Sequence, residues 1–280
     1  MTELGSSTAG FEVALPGRQP GELVLSWGAA TDIGRRRDHN EDSFVARPPI
    51  FAVADGMGGH SSGDVASEAV VTRLADAVSG DFTSQDVITD ALKAATSDIA
   101  MAADERKLGV GTTVTGAALT LQAGRPYWDI FNIGDSRVYM FEHNELVQVT
   151  VDHSVVQELV DAGIISEEDA ESHPDGNIIT RAVGFNAEPM PDHWLLPLRA
   201  GLRLLLCSDG LSKEVGSERL RLHLASGLSA SETAQALVDA ALAAGGRDNV
   251  TVLVVDVVAY GEATTNAPQK GGKQARHQGI

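Results

Sequence analysis

The sequence predicts an α+β fold in which most strands pair antiparallel. Nine short runs rich in apolar and β-branched residues are separated by turn residues, and three longer segments repeat apolar residues at helical spacing. The helical segments interrupt strands that otherwise follow one another through short turns. This order favours antiparallel pairing, because a parallel sheet needs a helical crossover between one strand and the next.

Each predicted strand is bounded by turn signals. The clearest breaks are Pro48-Pro49 and the stretch from Gly124 to Pro126. In chain order, the predicted strands are Leu23–Thr31, Ser43–Ala46, Ile50–Ala54, Thr112–Leu121, Tyr127–Ile133, Val138–Phe141, Val147–Thr150, Leu202–Ser208 and Val250–Val257.

The three helical segments each place apolar residues on one face. The first spans Asp64–Val78, and the third begins at a capping box formed by Ser229 and Glu232. Residues 152–187 are polar, are punctuated by glycine and proline, and carry two short helical patterns. The shared faces are Ala66, Val70, Leu74 and Ala77 in the first helix, Ile88, Ala91, Ala95, Ile99 and Ala102 in the second, and Ala234, Leu237, Val238 and Ala241 in the third.

Composition excludes several classes of protein. The chain has 280 residues, of which 43% are hydrophobic, so one large domain can bury a substantial core. Its net charge of −18 argues against binding to nucleic acid or to anionic membranes, which need clustered lysine and arginine. Cys207 is the single cysteine and lies in an apolar run, which argues against a catalytic thiol and leaves no disulfide framework.

The chain divides by composition into three parts. Residues 1–20 are expected to form a flexible lead-in, residues 21–260 a single catalytic domain, and residues 261–280 a disordered low-complexity tail. The first twenty residues lack the basic start and apolar stretch of a signal peptide, and no run reaches the roughly 18 apolar residues of a membrane span. These features predict a soluble protein of the cytoplasm.

Carboxylates stand at the ends of the predicted strands. Glycine follows two of them and gives the backbone room to bend around a bound ion. Oxygen ligands of this kind suit hard divalent cations, whereas zinc would call for cysteine and histidine pairs. The pattern predicts a two-metal hydrolase. Taken singly, each aspartate could cap a turn, and at Asp248-Asn249, a common turn dipeptide, the turn is the better interpretation. The residues are Glu41, Asp42, Asp55, Asp135, Asp209 and Asp248.

Eight short motifs follow one another along the chain. They are Gly34–Asp42, Phe51–Gly59, Gly111–Val114, Asn132–Tyr139, Val151–Ser154, Ile178–Gly184, Leu206–Ser212 and Arg247–Thr251. In this order they resemble the metal-dependent serine/threonine protein phosphatases of type 2C, and most closely the bacterial branch, from about Trp27 to Val258. The resemblance implies a central antiparallel β-sandwich flanked by helices on both faces, with metals at one edge and a flap near residues 152–187.

The resemblance also implies roles for individual residues. Two manganese or magnesium ions would activate a bridging hydroxide that attacks phosphorus directly. Asp55 would bridge both ions, the Gly56 carbonyl would help bind the first, and Asp209 and Asp248 would bind the second. Glu41 and Asp42 would hold metal-bound waters. Arg37 would bind the phosphate as a catalytic and substrate-binding residue. Asp135 would belong to a third, weaker metal site or simply to a hairpin turn.

The sequence departs from the family pattern at two positions. Lys213 stands where the family often has an aspartate, four residues after Asp209, so a third metal is in doubt. If Lys213 lies beside Asp135, its charge replaces or repels that cation, whereas a lysine pointing to solvent would leave the site to Asp135 alone. Met57 stands where many members have a histidine, and no motif moves that acid role to His60. A metal-bound water would then protonate the leaving group.

The predicted function is hydrolysis of phosphoserine and phosphothreonine in proteins, with a serine/threonine kinase and its targets among the partners. Arg181 is a further phosphate-binding candidate, and a structural salt bridge is the alternative at that position. Two other functions stay open: a weakly active or non-catalytic regulator that binds phosphoproteins, and a phosphatase of a partner-switching sigma-factor cascade. The cysteine-based phosphatase loop and the nucleotide-binding glycine loop are both missing from the sequence.

Overall fold

The computed structural model describes residues 1–16, 23–58, 62–102, 109–170 and 173–261. This part of the chain forms thirteen strands and seven helices. The strands are β1 (Glu3–Gly5), β2 (Thr8–Val13), β3 (Leu23–Asp32), β4 (Asp42–Arg47), β5 (Ile50–Met57), β6 (Gly111–Thr112), β7 (Val114–Gln122), β8 (Arg125–Ile133), β9 (Arg137–Glu142), β10 (Glu145–Gln148), β11 (Asp192–Pro197), β12 (Arg203–Cys207) and β13 (Val250–Tyr260). The helices are α1 (Gly63–Ala77), α2 (Gln85–Ala102), α3 (Val155–Asp161), α4 (Glu167–Ala170), α5 (Asp209–Ser212), α6 (Ser217–Leu224) and α7 (Ala230–Ala244).

The strands form two sheets that pack face to face. One has the order β1-β4-β5-β7-β8-β11, with β6 added beside β5, and the other has the order β10-β9-β12-β13-β3-β2. Neighbouring strands run antiparallel except β1 and β4, which are parallel. The core between the sheets includes Trp27, Phe51 and Trp128, whose rings meet edge to face at 5.3 and 6.0 Å.

Helices cover both outer faces, which confirms the predicted α-β-β-α layering. The apolar face of α1 and α2, including Val70 and Leu92, packs on the outward residues of β4 and β5. On the opposite side, Leu237 of α7 and Leu220 of α6 pack on β12 and β13, where Cys207 is buried as a small apolar residue. None of the described helices is long and apolar enough to cross a bilayer.

The N-terminal segment differs from the flexible lead-in that its composition predicted. Residues 3–5 pair with β4, and residues 8–13 pair with β3. The Phe11 ring meets Trp27 edge to face at 5.7 Å, and Val13 is buried. Pairing with β3 and β4 therefore orders this segment, although it is rich in small and polar residues. Residues 17–20 and the predicted tail from residue 262 onward lie outside the described residues.

Three further elements differ from the predicted boundaries. The strand expected at Val147–Thr150 is β10, which begins at Glu145 because its register is set by pairing with β9. Strand β11 and helix α6 were not predicted. The 152–187 segment carries α3 and α4, as its two short helical patterns predicted.

Candidate metal centre

Five aspartates meet at one end of the β-sandwich because of how the strands pair. Asp42 begins β4 and Asp55 lies near the end of β5, and the two are direct partners across this antiparallel pair. Asp209 follows β12 while Asp248 precedes β13, and these strands are also antiparallel neighbours. Asp135 lies in the turn between β8 and β9. Antiparallel pairing thus brings residues from four distant parts of the sequence to one edge.

The backbone around Asp55 is held by hydroxyl side chains. The Asp55 N–H donates to Thr113 Oγ1 at 3.1 Å, and the Asp55 carbonyl accepts from the Thr112 hydroxyl at 2.9 Å. Gly56 then packs against the start of α1, where a Cβ would lie 2.1 Å from the carbonyl oxygen of Gly63. Only glycine allows this approach, so β5 ends in contact with the helix that follows it.

Asp42 is fully buried beside Asp55. Its Oδ2 accepts from the Ser208 hydroxyl at 2.9 Å, whereas Oδ1 has no hydrogen-bond partner among the described residues. Burial raises the pKa of Asp42 to about 7, the hydroxyls of Ser208 and Thr251 oppose this shift, and the charge of Asp209 adds to it. An unpaired buried carboxylate oxygen is costly, and it marks a place where the site lacks a positive or donating group.

Glu41 is held in place by its backbone and by its side chain. Its N–H donates to the amide oxygen of Asn249 at 2.8 Å, and its Oε1 accepts from the Gly63 N–H at 3.3 Å. The amide nitrogen of Asn249 also donates to the carbonyls of Ile33 and His39, at 2.9 and 3.0 Å. Asn249 therefore fixes the loop that carries Arg37 and Glu41 against the start of β13.

Arg37 lies at this edge and pairs with Asp248. Its Nη2 donates to Asp248 Oδ2 at 2.7 Å, while its side chain remains 51% exposed. This hydrogen bond, with the charges of nearby aspartates, holds the pKa of Arg37 above its ordinary value against the effect of burial. The pairing places one guanidinium at the mouth of the cluster.

Lys213 lies beside Asp135, as one of the two sequence hypotheses predicted. Its Nζ donates to Asp209 Oδ2 at 2.5 Å, to Asp135 Oδ2 at 3.3 Å and to Asn177 Oδ1 at 2.9 Å. Burial opposes the charged ammonium, yet the charges of Asp209 and Asp135 outweigh it and hold the pKa of Lys213 above its ordinary value. The hypothesis of a lysine that points to solvent is not supported.

Mutual repulsion among the carboxylates is strong. Burial and the charges of Asp42 and Asp209 hold the pKa of Asp55 well above its usual range. Burial, the charge of Asp209 and the opposing charge of Lys213 together place the pKa of Asp135 at about 6. These shifts mark a cluster that favours either protons or bound cations.

The donor chemistry of the cluster fits hard divalent cations. Its groups are carboxylate oxygens and backbone carbonyls, and one buried carboxylate oxygen lacks a partner. No three Asp, Glu, His or Cys side chains in the described ranges stand closely enough to hold a metal ion as they are now oriented. The reason is visible in the contacts, since Asp209 and Asp248 each bind a basic side chain. Rotation of Asp248 away from Arg37 would free its Oδ2, and Lys213 holds Oδ2 of Asp209.

Three other residues were singled out in the sequence, and the structure describes two of them. Arg181 forms the salt bridge that was the alternative reading, with Nη1 donating to Asp192 Oδ1 at 3.0 Å. Met57 ends β5 and carries no proton donor. His60 lies outside the described residues.

Sequence reasoning missed the residues that support the cluster. Ser208 and Thr113 belong to motifs already recognised, so their hydroxyls could have been assigned to the aspartates beside them. Asn249 was interpreted only as part of a turn with Asp248. No local signal in the sequence points to Asn177 as a partner of Lys213, because the two lie 36 positions apart.

Comparisons with known proteins point to one family. Residues 35–244 match the family described as Protein phosphatase 2C. The chain is 43% identical over 245 residues to the serine/threonine protein phosphatase PstP of Mycobacterium tuberculosis, covering 85% of this chain and 46% of PstP. It is 40% identical to the serine/threonine phosphatase stp of Listeria welshimeri over 81% of this chain and 93% of that protein. The chain thus spans about half the length of the mycobacterial relative and nearly all of the Listeria one.

Solved structures give the same result. The crystal structure of the Mycobacterium tuberculosis phosphatase PstP/Ppp superposes with a TM-score of 0.75 at 38% identity, covering 84% of this chain and 99% of that one. The catalytic domain of PstP in complex with two manganese ions superposes with a TM-score of 0.74 at 38% identity and the same coverage.

Proposed function

The chain belongs to the protein phosphatase 2C family, and we propose that it hydrolyses phosphoserine and phosphothreonine in proteins with two Mn²⁺ or Mg²⁺ ions as cofactors. The observation that carries this proposal is the convergence of five aspartates from distant strands at one end of the sandwich. The raised pKa values of Asp42, Asp55 and Asp135 mark a site built for cations. The similarity to a catalytic domain that binds two manganese ions supports the same chemistry.

The cluster offers a ligand set for two ions. Asp55 and the Gly56 carbonyl would hold the first ion, and Asp209 with Asp248 would hold the second. Asp42 would support the ligands from its buried position between Asp55 and Ser208. When bound, the two ions would supply an activated water nucleophile and neutralise charge on the phosphoryl oxygens.

The remaining chemistry falls to side chains around the cluster. Arg37 is half exposed at the edge, so its guanidinium can leave Asp248 and bind two phosphate oxygens of a substrate. Met57 lies directly after Gly56 and cannot donate a proton. The leaving alkoxide of the substrate would therefore take its proton from water rather than from a side chain at the end of β5.

The substrates we propose are phosphorylated serine and threonine side chains of proteins, including a serine/threonine kinase and its targets. The net charge of −18 disfavours nucleic acid as a partner. We further propose that the protein acts in the cytoplasm.

A second candidate function is that of a weakly active protein that binds phosphoproteins and regulates them. One observation favours it, since Lys213 holds Oδ2 of Asp209 and leaves Oδ1 as the oxygen with which Asp209 would hold the second ion. The intact set of Asp55, Asp209 and Asp248 favours catalysis instead.

Turnover of p-nitrophenyl phosphate and of a phosphothreonine peptide, with manganese and then with a chelator, tests the proposal. Asp55→Ala and Asp209→Ala should each abolish manganese-dependent hydrolysis while the circular dichroism spectrum stays that of the wild type, because these residues bind cations at an edge rather than fill the core. Asp239→Ala, at an exposed position of α7, is the matched control and should retain full activity. Substantial manganese-dependent turnover by Asp55→Ala would exclude the two-ion site.

A further inference from the structure

The ammonium group of Lys213 joins three separate parts of the fold. It contacts Asp209 at the start of α5, Asp135 in the turn between β8 and β9, and Asn177 in the 152–187 segment. Asp135 lies where the chain passes from β8 in one sheet to β9 in the other, and Asp209 follows β12 of that second sheet. A single side chain thus links the crossing between the sheets, the start of α5 and the segment beside them.

The local structure places Lys213 in this position. The short helix α5 begins at Asp209, and the Lys213 N–H closes its turn by donating to the Asp209 carbonyl at 2.8 Å. Residues four apart on a helical turn lie on the same face, so the ammonium lies over the Asp209 carboxylate. The turn therefore directs the lysine along the edge toward Asp135.

The carboxylates that Lys213 binds are more buried than Lys213 itself. The side chain of Asp135 is 8% exposed and that of Asp209 is 15% exposed, whereas that of Lys213 is 37% exposed. Charged hydrogen bonds between partly buried groups are screened less by solvent than surface ion pairs are. In the described part of the chain, Lys213 is the basic side chain that contacts both of these aspartates.

A metal ion and this ammonium cannot share the space between Asp135 and Asp209. An ammonium group has no lone pair with which to bind a cation, and its charge would repel one held by the same oxygens. A divalent ion could enter between the two aspartates only if the Lys213 side chain swung away and gave up all three of its hydrogen bonds.

We propose that Lys213 is a positioning residue: a built-in cation that takes the place of a metal ion between Asp135 and Asp209 and holds the turn at Asn177 next to the active site. This inference rests on the proposed function, because it concerns the same metal site. It gives two consequences. The protein binds two divalent ions rather than three, and its 152–187 segment is anchored to the metal edge without needing an ion.

Metal stoichiometry tests the first consequence. Calorimetric titration with Mn²⁺ alone should give two ions for the wild type and three for Lys213→Asp, because aspartate adds a ligand where the ammonium stood. Lys93→Met is the matched control, since Lys93 pairs with Glu188 at 3.2 Å away from the cluster, and it should bind two ions. Three ions in the wild type, or two in a folded Lys213→Asp, would overturn the proposal.

Hydrogen exchange tests the second consequence on protein treated with chelator. The Gly176 and Ile178 amides donate to His173 and Asp175 in the turn that carries Asn177. In Lys213→Met they should exchange about tenfold faster, which corresponds to the loss of one hydrogen bond to a charged group. Lys213→Arg should restore most of the protection, and Lys93→Met should exchange like the wild type. Unchanged exchange in Lys213→Met would refute the anchoring role.

The two measurements separate failure of this inference from failure of the proposed function. If the protein binds no manganese and hydrolyses no phosphoester, the proposed function is wrong, while the exchange result still reports on Lys213. If it binds two ions and is active but Lys213→Met leaves the turn unchanged, only the role of Lys213 is wrong.

Discussion

Replacing Asp42 with asparagine should change how the stability of the metal-free protein depends on pH. Asp42 is fully buried on β4, and one of its carboxylate oxygens has no hydrogen-bond partner among the described residues. Burial, opposed by two hydroxyls and reinforced by the charges of Asp209 and Asp248, raises its pKa from 3.8 to about 7. An asparagine side chain does not titrate, so the substitution removes this pH dependence and keeps the shape of the residue.

The direction of the effect follows from the raised pKa. The contribution of Asp42 to stability is fully present below about pH 3.8 and is lost as the pH rises through about 7. Between about pH 5 and about pH 8, this loss lowers the free energy of unfolding of the wild type by about 3 kcal/mol. Relative to the wild type, Asp42→Asn should therefore gain about 3 kcal/mol over that range.

Urea unfolding in chelator measures this difference. Tryptophan fluorescence is a suitable signal because Trp27 and Trp128 lie in the core between the sheets. With a slope of roughly 3 kcal/mol per molar urea, the midpoint of Asp42→Asn should rise by about 1 M relative to the wild type between the two pH values. Asp239→Asn makes the same change of charge at an exposed position of α7, and its midpoint should follow that of the wild type.

Parallel pH profiles for Asp42→Asn and the wild type would refute the reasoning. They would show that the Asp42 carboxylate is not held in its protonated form by burial and by its charged neighbours. A constant offset between the two profiles would not support a raised pKa of Asp42, because a lost or gained hydrogen bond shifts stability equally at every pH.

Two further changes give distinct results. Arg37→Ala should raise KM for p-nitrophenyl phosphate by about tenfold while kcat changes little, if the guanidinium binds phosphate equally in the ground and transition states; steady-state kinetics with a wild-type KM would show that Arg37 only orients Asp248. Gly56→Ala should lower the free energy of unfolding by on the order of 3 kcal/mol, because the added Cβ would meet the Gly63 carbonyl at 2.1 Å, and urea unfolding checks this. A fully stable Gly56→Ala would contradict the close packing of β5 on α1.

Much of the fold could be predicted because its signals are local. Strand β5 shows a continuous apolar run before Asp55, and helix α7 begins at a capping box that the structure contains in full. The N-terminal strands gave no such signal. They contain many small and polar residues, and they are ordered by pairing with β3, the next strand, and with β4 beyond it. Local composition cannot report contacts of that kind.

Two elements that were not predicted, β11 and α6, do have a weak signal in the sequence. Strand β11 packs Trp194 and Leu196 against the core, but the exposed Leu195 between them breaks the apolar-polar alternation, and nearby prolines made the run resemble a loop. Helix α6 buries Leu220 and Leu224, which lie four residues apart, yet a single apolar pair is too short a pattern to distinguish from a turn.

The candidate site divides in the same way between local and distant information. That Lys213 lies over Asp209 could be predicted, because four residues separate them on one turn. Its contact with Asp135 was a hypothesis that depended on how two sheets meet, and its contact with Asn177 had no basis in the sequence. The distinctive property of this edge arises from the distant contacts: two basic side chains among the described residues hold carboxylates that would otherwise bind only protons or metal ions. The exposed Arg37 side chain can break its one ion pair with Asp248 to bind a phosphate. Lys213 would have to break three hydrogen bonds to move. The edge should therefore release its arginine to the substrate and keep its lysine as part of the structure.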